Sequence, residues 1–348
     1  MTAPIPPSLN GRRDRDPFWV AVSAVFGGIH RVRRLRQPVL PPVRPVERDL
    51  AMVVREVRRE AADVVSLRLA AADGRVLPAW QPGCHLDVLL PSGRRRQYSL
   101  CGDPADRRTY RIAVRALPAG AGGSVEAHGL AEGDALRVRG PRNAFPFLAG
   151  ERYLFLAGGI GITAILPMVH AAARAGADWR LVYTGRSRTT LPFLDELPAE
   201  RVTVRTDDVD GVPDCAELLS LAAPGTAVYC CGPAAMIDGV RAAFPAGTGS
   251  TLHFERFAPA PIVDGKPFEI ELRGSGVVLP VPADRSALDV LREAVPGVAY
   301  SCRQGFCGTC RVGLVAGHAD ERAVSDADES GLLVCVSRAS GGRLTLDL

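Results

Sequence analysis

The chain has almost no lysine: of its 42 basic residues, all but Lys266 are arginines. Beside its many alanines, that bias reads as a GC-rich genome rather than as arginine-specific chemistry. Aromatic residues are scarce at 6%, and 38 acids leave a net charge of only +4. So even a balance excludes a protein built around a nucleic-acid backbone, and no nucleic-acid partner is expected. No run approaches the roughly 18–20 apolar residues of a membrane helix. The stretch Phe18–Ile29 is short and is broken by Ser23 and two glycines. Its flanks do not suit a secretory signal, since acids lie upstream and Arg31, Arg33, Arg34 and Arg36 follow it. The expectation is a cytoplasmic protein with no transmembrane segment. Cysteine is too sparse for a disulfide scaffold, at nine in 348 residues. An odd count without an export signal favours thiols or metal ligands.

What remains is an ordinary globular composition, 47% hydrophobic and 23% charged. At roughly 100–200 residues per domain, the length allows two or three domains. Residues 1–47 form a Pro/Arg-rich leader in which Pro38, Pro41, Pro42 and Pro45 prevent a continuous helix. One short amphipathic helix near Asp16–Leu35 is expected there. It would serve as an arm packed on its own protein, or as a contact for a partner or a membrane surface.

The patterning then changes twice. Over 48–149, short β-rich segments follow one another: Met52–Val57, Val64–Leu69, His85–Leu90, Gln97–Cys101, Tyr110–Arg115 and Ala135–Arg139. Such spacing predicts a small antiparallel β-barrel. Over 150–257, strands at Tyr153–Ala157, Arg180–Thr184, Arg201–Arg205 and Ala227–Cys231 alternate with helices at Ile162–Ala175, Pro192–Leu197, Ala216–Leu221 and Ala234–Ala243. That alternation predicts an α/β domain with a parallel sheet. A Pro-rich linker, 258–267, precedes an α+β module over 268–348. Its elements are Phe268–Arg273, Gly276–Val281, a helix Ser286–Glu293, and strands near Arg311–Val315 and Arg343–Leu348.

The strongest chemical signal is CRQGFCGTC at 302–310. Cys302, Cys307 and Cys310 give C-x4-C-x2-C, and Cys335 follows after 24 intervening residues. This is the plant-type [2Fe–2S] spacing. One tight loop must supply three thiolates around two irons, and Gly305 and Gly308 permit the backbone angles that requires. Zinc sites usually show two separated C-x2-C pairs, and here there is one. Cys84, Cys101, Cys215, Cys230 and Cys231 lack ligand spacing and fit as small apolar residues.

Two further motifs are weaker alone. YLFLAGGIGITA at 153–164 sets Gly159-x-Gly161-x-x-Ala164 between a strand and a helix, the context of a dinucleotide loop. Cys231-Gly232-Pro233 ends a later strand at the same carboxyl edge, where open α/β sheets bind ligands. Arg186 and Arg188, flanking Ser187, would suit a 2′-phosphate and hence NADPH, or form a solvated basic turn. In the barrel, RRRQYSLC at 94–101 offers a cation, a ring and a hydroxyl on one strand, suited to a flavin. Gly120–Ser124 offers backbone amides for an anion. By composition alone a basic strand edge and a surface turn are the default readings of these two.

In one order the chain carries RQYSL (96–100), IAVR (112–115), GGS (122–124), GGIGIT (158–163), YTGRS (183–187), CGPAAMI (231–237), ERF (255–257) and the cysteine loop. Over about residues 50–348 this resembles the phthalate dioxygenase reductase family, which includes the vanillate demethylase reductases and carries its ferredoxin module last. The resemblance implies a flavin barrel, a NAD(P) domain and a β-grasp ferredoxin domain, with FMN as the flavin. It implies flavin contacts at Arg96, Tyr98, Ser99, Leu100, Gly122, Gly123 and Ser124, the last at the phosphate. Nucleotide contacts are implied at Gly158, Gly159, Gly161, Thr163, Arg186, Ser187, Cys231, Gly232, Pro233 and Met236. Ser99, Cys231 and Phe257 are implied at the reaction centre, with Phe257 over the flavin, and Cys302, Cys307, Cys310 and Cys335 as cluster ligands. The family mostly uses NADH, and it commonly has proline where Ala164 stands here. The implied activity is electron transfer from NADH through FMN and the cluster to a terminal oxygenase. A Rieske-type oxygenase is the first expectation and a cytochrome P450 the second; a non-catalytic redox carrier or sensor is the alternative of another class.

Overall fold

The computed structural model describes Phe18, Val22 and residues 49–118, 122–245, 247–257, 262–295, 297–300, 303–305, 308–322 and 331–348. The helix expected near Asp16–Leu35 lies outside these residues apart from Phe18 and Val22. Residues 48–348 form one compact unit.

The first sheet contains β1 (Asp49–Ala61), β2 (Val64–Ala71), β3 (Cys84–Leu89), β4 (Arg95–Ser99), β5 (Thr109–Arg115) and β6 (Ala135–Asn143). Its order is β4-β3-β6-β1-β2-β5, antiparallel throughout. A bridge between Leu100 and Ile112 joins the two end strands and closes the barrel. Alternate positions such as Leu67, Leu69, Leu86 and Val88 fill its interior, as the pleat of a half-buried strand requires. The GGS segment, expected as a flexible turn, opens a short helix instead, α1 (Gly123–His128).

The second sheet is parallel, in the order β11-β10-β7-β8-β9. Its strands are β7 (Arg152–Gly158), β8 (Asp178–Gly185), β9 (Val202–Thr206), β10 (Ala227–Cys231) and β11 (Thr251–Glu255). Helices α2 (Ile162–Arg174), α3 (Asp207–Asp210), α4 (Cys215–Ser220) and α5 (Ala234–Ala243) accompany it. Alternate strand residues feed opposite faces. Phe155, Tyr183 and Tyr229 pack with Ile165 and Val169 of α2. Leu154, Val182 and Val228 pack with Leu218 of α4 and Ile237 of α5. Burial on both faces explains the unbroken apolar run of β7.

Two expectations need correction here. No helix spans Pro192–Leu197. Phe193 adopts a left-handed backbone, φ 63°, leaving only a 3-10 turn at Leu194–Glu196. Its ring is buried beneath the Arg111 guanidinium, 4.8 Å from the ring centre. Strand β11 was not anticipated.

The third region holds β12 (Phe268–Leu272), β13 (Val278–Val281), α6 (Ala287–Ala294), β14 (Arg311–Val312), β15 (Leu314–Ala316), β16 (Ala319–Asp320), β17 (Leu332–Leu333), β18 (Arg338–Ala339) and β19 (Arg343–Leu346). Its main sheet runs β13-β12-β19-β15, with β12 and β19 parallel, as in a β-grasp. Ser286 caps α6 by accepting from the Asp289 amide at 3.1 Å. The strand expected over Arg311–Val315 divides at Gly313: β14 pairs with β17 and β15 with β19.

Candidate active site

Strand β4 supplies the first wall. Period-two alternation turns Arg95, Gln97 and Ser99 to one side and Arg96 and Tyr98 to the other. Two adjoining cavities share Arg96, Gln97, Ser99 and Phe257 as walls. The smaller, about 220 Å³, is also lined by Tyr98, Arg115, Gly123, Ser124 and Thr163. The flavin-type motif of the barrel thus shares one cavity with the hydroxyl of the nucleotide-type loop. A Cβ at Gly123 would lie 2.5 Å from Arg96 Nε. That glycine therefore lets the guanidinium settle over the start of α1. Ser124 Oγ accepts from the Leu117 amide at 3.0 Å, and Thr163 donates to the Ile160 carbonyl at 2.9 Å.

The larger cavity, about 420 Å³, lies where the barrel, the end of β11 and the ferredoxin-like module meet. Arg95, Arg96, Arg256, Arg292 and Arg303 line it, with Glu255 as a carboxylate among them. Glu255 lies beside Ser99. Its Oε2 is buried with no hydrogen-bond partner among the described residues, and burial pushes its pKa up to about 8. His85, which also lines this cavity, is pushed down to about 4, first by burial and then by the Arg142 charge. It is neutral near pH 7.

The carboxyl edge of the parallel sheet brings the two nucleotide motifs together. A Cβ at Gly161 would lie 2.1 Å from the Cys231 carbonyl oxygen, and one at Gly158 would lie 2.5 Å from Pro233 Cδ and 2.9 Å from Met236 Sδ. One at Gly232 would lie 2.8 Å from the same sulfur. Glycine is required here so that the 158–161 loop can seat against the 231–233 turn. Gly159 adopts φ +54° beside Arg115.

Not every anticipated residue reaches a cavity. Leu100 is fully buried in the barrel core, where it closes the sheet. Cys231 packs its side chain into the core under α2, and burial holds its thiol well above the usual range. Arg186 is exposed and lies 3.5 Å from Asp63. Ser187 is engaged with Thr189 and Thr190 in its own turn. Neither Arg186 nor Ser187 lines either of these two cavities.

In the third region, β14 pairs with β17 so that Arg311 faces Leu333. Cys310, just before β14, therefore lies beside the segment that leads to Cys335, and the Val334 amide donates to the Cys310 carbonyl at 3.4 Å. Both cysteines are buried. Gly305 and Gly308 have φ +81° and +73°, the freedom anticipated for this loop. Cys302 and Cys307 lie outside the described residues. Sequence reasoning missed Glu255, His85, Arg115 and the cavity-lining pair Arg303 and Gln304. The Glu255 signal was present, since it stands two residues before Phe257 in the ERF motif.

Comparison with known proteins places these features together. Residues 270–340 match the model of the 2Fe-2S iron-sulfur cluster binding domain. Phthalate dioxygenase reductase of Burkholderia cepacia is 38% identical over 86% of this chain and 97% of its own length. A solved structure of phthalate dioxygenase reductase, described as modular for electron transfer from pyridine nucleotides to [2Fe-2S], superposes with a TM-score of 0.67 at 38% identity, over 86% of this chain and 98% of that one. Full-length CYP116B46 from Tepidiphilus thermophilus is 41% identical over 90% of this chain, with a TM-score of 0.67, but the match spans only 44% of that larger protein. With a barrel, a parallel sheet and a cysteine-bearing β-grasp module in the same order, and with that identity across nearly the whole of a curated relative, the chain belongs to the phthalate dioxygenase reductase family.

Proposed function

We propose that this protein is the NADH-dependent reductase component of an oxygenase system. Electrons pass from NADH to FMN, then to a [2Fe–2S] cluster, and then to a terminal Rieske-type oxygenase. The observation that carries this reading is the shared cavity: Arg96, Tyr98 and Ser99 of the barrel and Thr163 of the glycine loop all line one space. The larger cavity beside it is walled by Arg303 and Gln304 of the cysteine loop.

The residues fit the groups the family implies. The Tyr98 hydroxyl is buried without a hydrogen-bond partner among the described residues, as suits a side chain that meets a ligand. Arg96 over the start of α1, near Ser124, supplies positive charge and amide donors for a monophosphate. When bound, the flavin supplies the exchange between two-electron hydride chemistry and one-electron transfer. The chain supplies the rest. Arg96 and Ser124 anchor the phosphate, Tyr98 packs along the flavin, and Ser99 orients its reactive edge. Glu255, kept protonated near neutral pH by burial, holds a proton beside the Ser99 hydroxyl. Phe257 covers the mouth and limits water. Gly158, Gly159 and Gly161 form the floor for the nucleotide, with Thr163 and the 231–233 turn toward the nicotinamide and Met236 behind it. Cys302, Cys307, Cys310 and Cys335 hold the cluster. NADH is favoured over NADPH because the family mostly uses NADH; the exposed pair between Arg186 and Asp63 does not decide the choice. The module limits are 48–149, 150–257 and 268–348. No helix among the described residues is long and apolar enough to cross a membrane, and we place the protein in the cytoplasm.

A second reading, delivery of electrons to a cytochrome P450, is favoured by the match to full-length CYP116B46. Purified protein should release FMN, identified by mass, and contain two irons and two inorganic sulfides per chain. With NADH it should sustain turnover of a Rieske oxygenase; turnover of a P450 alone would select the second reading. A reducible cluster that turns over neither acceptor would leave a carrier or sensor and contradict both.

A further inference from the structure

Among the described residues, the cysteine loop reaches the flavin-side cavity with Arg303 and the buried amide of Gln304. Gln304 stands two residues after Cys302 and three before Cys307. Its side chain is buried, and its Nε2 donates to the main-chain carbonyl of Arg256. Arg256 directly precedes Phe257, and all three residues line the 420 Å³ cavity with Arg96 and Ser99. Two ion pairs brace the contact, one from each side. Arg303 pairs with Asp289 of α6, and Arg256 pairs with Asp238 of α5. Arg303 itself takes a left-handed backbone, φ 58°. A residue with a side chain holds that conformation only where its surroundings fix it, and here the Asp289 pair and the neighbouring Gln304 bond do so.

We propose that Gln304 is a positioning residue that docks the cysteine loop on the Arg256–Phe257 segment and so sets the rate at which electrons cross between flavin and cluster. A bond to a main-chain carbonyl suits this role, because it fixes position without adding charge to a path that must carry electrons. Each hydride taken from NADH is discharged by two one-electron transfers across this contact, and its proton leaves to solvent. This inference rests on the electron path given above. Electron transfer falls off with the separation of the two centres. Releasing the dock should therefore slow this step several-fold, while hydride uptake stays unchanged.

The test uses the full holoprotein, with Gln304→Leu and Gln304→Glu, which remove the amide donor in different ways. Stopped-flow absorbance separates flavin reduction by NADH from the later reduction of the cluster. Hydrogen–deuterium exchange of the resting protein reports the docking itself at 303–305 and 255–257. The expected result is a flavin-reduction rate like that of the parent, a slowed cluster phase, an unchanged iron content and reduced-cluster EPR signal, and faster exchange at both segments. An unchanged cluster phase in both variants overturns the proposal, as does loss of iron from both, which would make Gln304 a support of the loop alone. If the parent protein takes hydride but never reduces its cluster, the electron path itself fails, and that outcome is distinct from either.

Discussion

Ser99 and the buried carboxyl of Glu255 lie together in the wall of the 420 Å³ cavity, joining the flavin-type motif of the barrel to the last strand of the parallel sheet. Glu255 is raised to about 8 from an ordinary 4.5. The folded protein therefore keeps a proton there that the unfolded chain releases above about pH 4.5. Stability from this group falls as pH rises from about 4.5 to 8 and is level beyond, at about 1.4 kcal/mol per pKa unit. Glu255→Gln removes the titration and keeps the shape. Denaturant unfolding should show the variant gaining on the parent as pH is raised from 5 to 9; a gap that does not change with pH would contradict the raised carboxyl.

The close approach of Gly161 to Cys231 makes a second prediction. A methyl group there meets main-chain atoms that cannot turn aside, with the carbonyl oxygen 2.1 Å away. Gly161→Ala should cost about 3 kcal/mol or more, or prevent folding. Gly176→Ala, at φ +68° but with nothing within 4 Å, should cost only about 1 kcal/mol, from backbone strain. Equal losses in thermal unfolding would mean that the 158–161 loop is not pinned by the 231–233 turn.

Cys335→Ser separates the two electron-carrying centres. Iron content and the reduced-cluster EPR signal should be lost, while NADH still bleaches the flavin. A variant that retains a normal cluster would remove Cys335 from the ligand set.

Arg111 grips Glu196 through two bonds of 2.6 and 2.8 Å and lies over the Phe193 ring. It pins the turn at Leu194–Glu196 to the barrel. Arg111→Ala should cost about 2 kcal/mol, within the range for bonds between charged groups. Arg111→Lys should not restore it, because an ammonium cannot reproduce a planar fork that is both bidentate and stacked. Chemical denaturation of the two variants checks this, and full rescue by lysine would show that charge alone suffices.

Arg186 is 73% exposed and its pairing with Asp63 is long, at 3.5 Å. Such surface pairs are worth little, so Arg186→Ala should change kcat/KM for NADH by no more than about twofold. Steady-state kinetics with both nucleotides should show NADPH remaining poor. A large loss confined to NADPH would assign Arg186 to the 2′-phosphate.

The sequence was most informative where chemistry fixes spacing. Four thiolates around two irons leave few loop lengths, so Cys302, Cys307, Cys310 and Cys335 could be named as candidate ligands before any fold, and Gly305 and Gly308 take the backbone angles expected of them. The barrel and parallel sheet were legible from the change in hydrophobic period near Arg152. Local pattern failed where a distant residue decides. The segment Pro192–Leu197 suits a helix, but Phe193 turns left-handed to put its ring beneath Arg111, more than eighty residues away in the barrel. Strand β11 does alternate, with Leu252 and Phe254 set between Thr251, His253 and Glu255, yet five residues beside a linker gave a weak signal. The burial of Glu255 and the reach of Gln304 to the Arg256 carbonyl depend on three modules meeting, and no single segment encodes that.

The central claim is one continuous electron path through the chain. An anaerobic titration with NADH, followed by visible absorbance and EPR and repeated with NADPH, tests it most directly. The account predicts bleaching of the flavin and the rhombic EPR signal of a reduced [2Fe–2S] cluster with NADH, and little of either with NADPH. Bleaching without a cluster signal would contradict it and leave a plain flavin reductase.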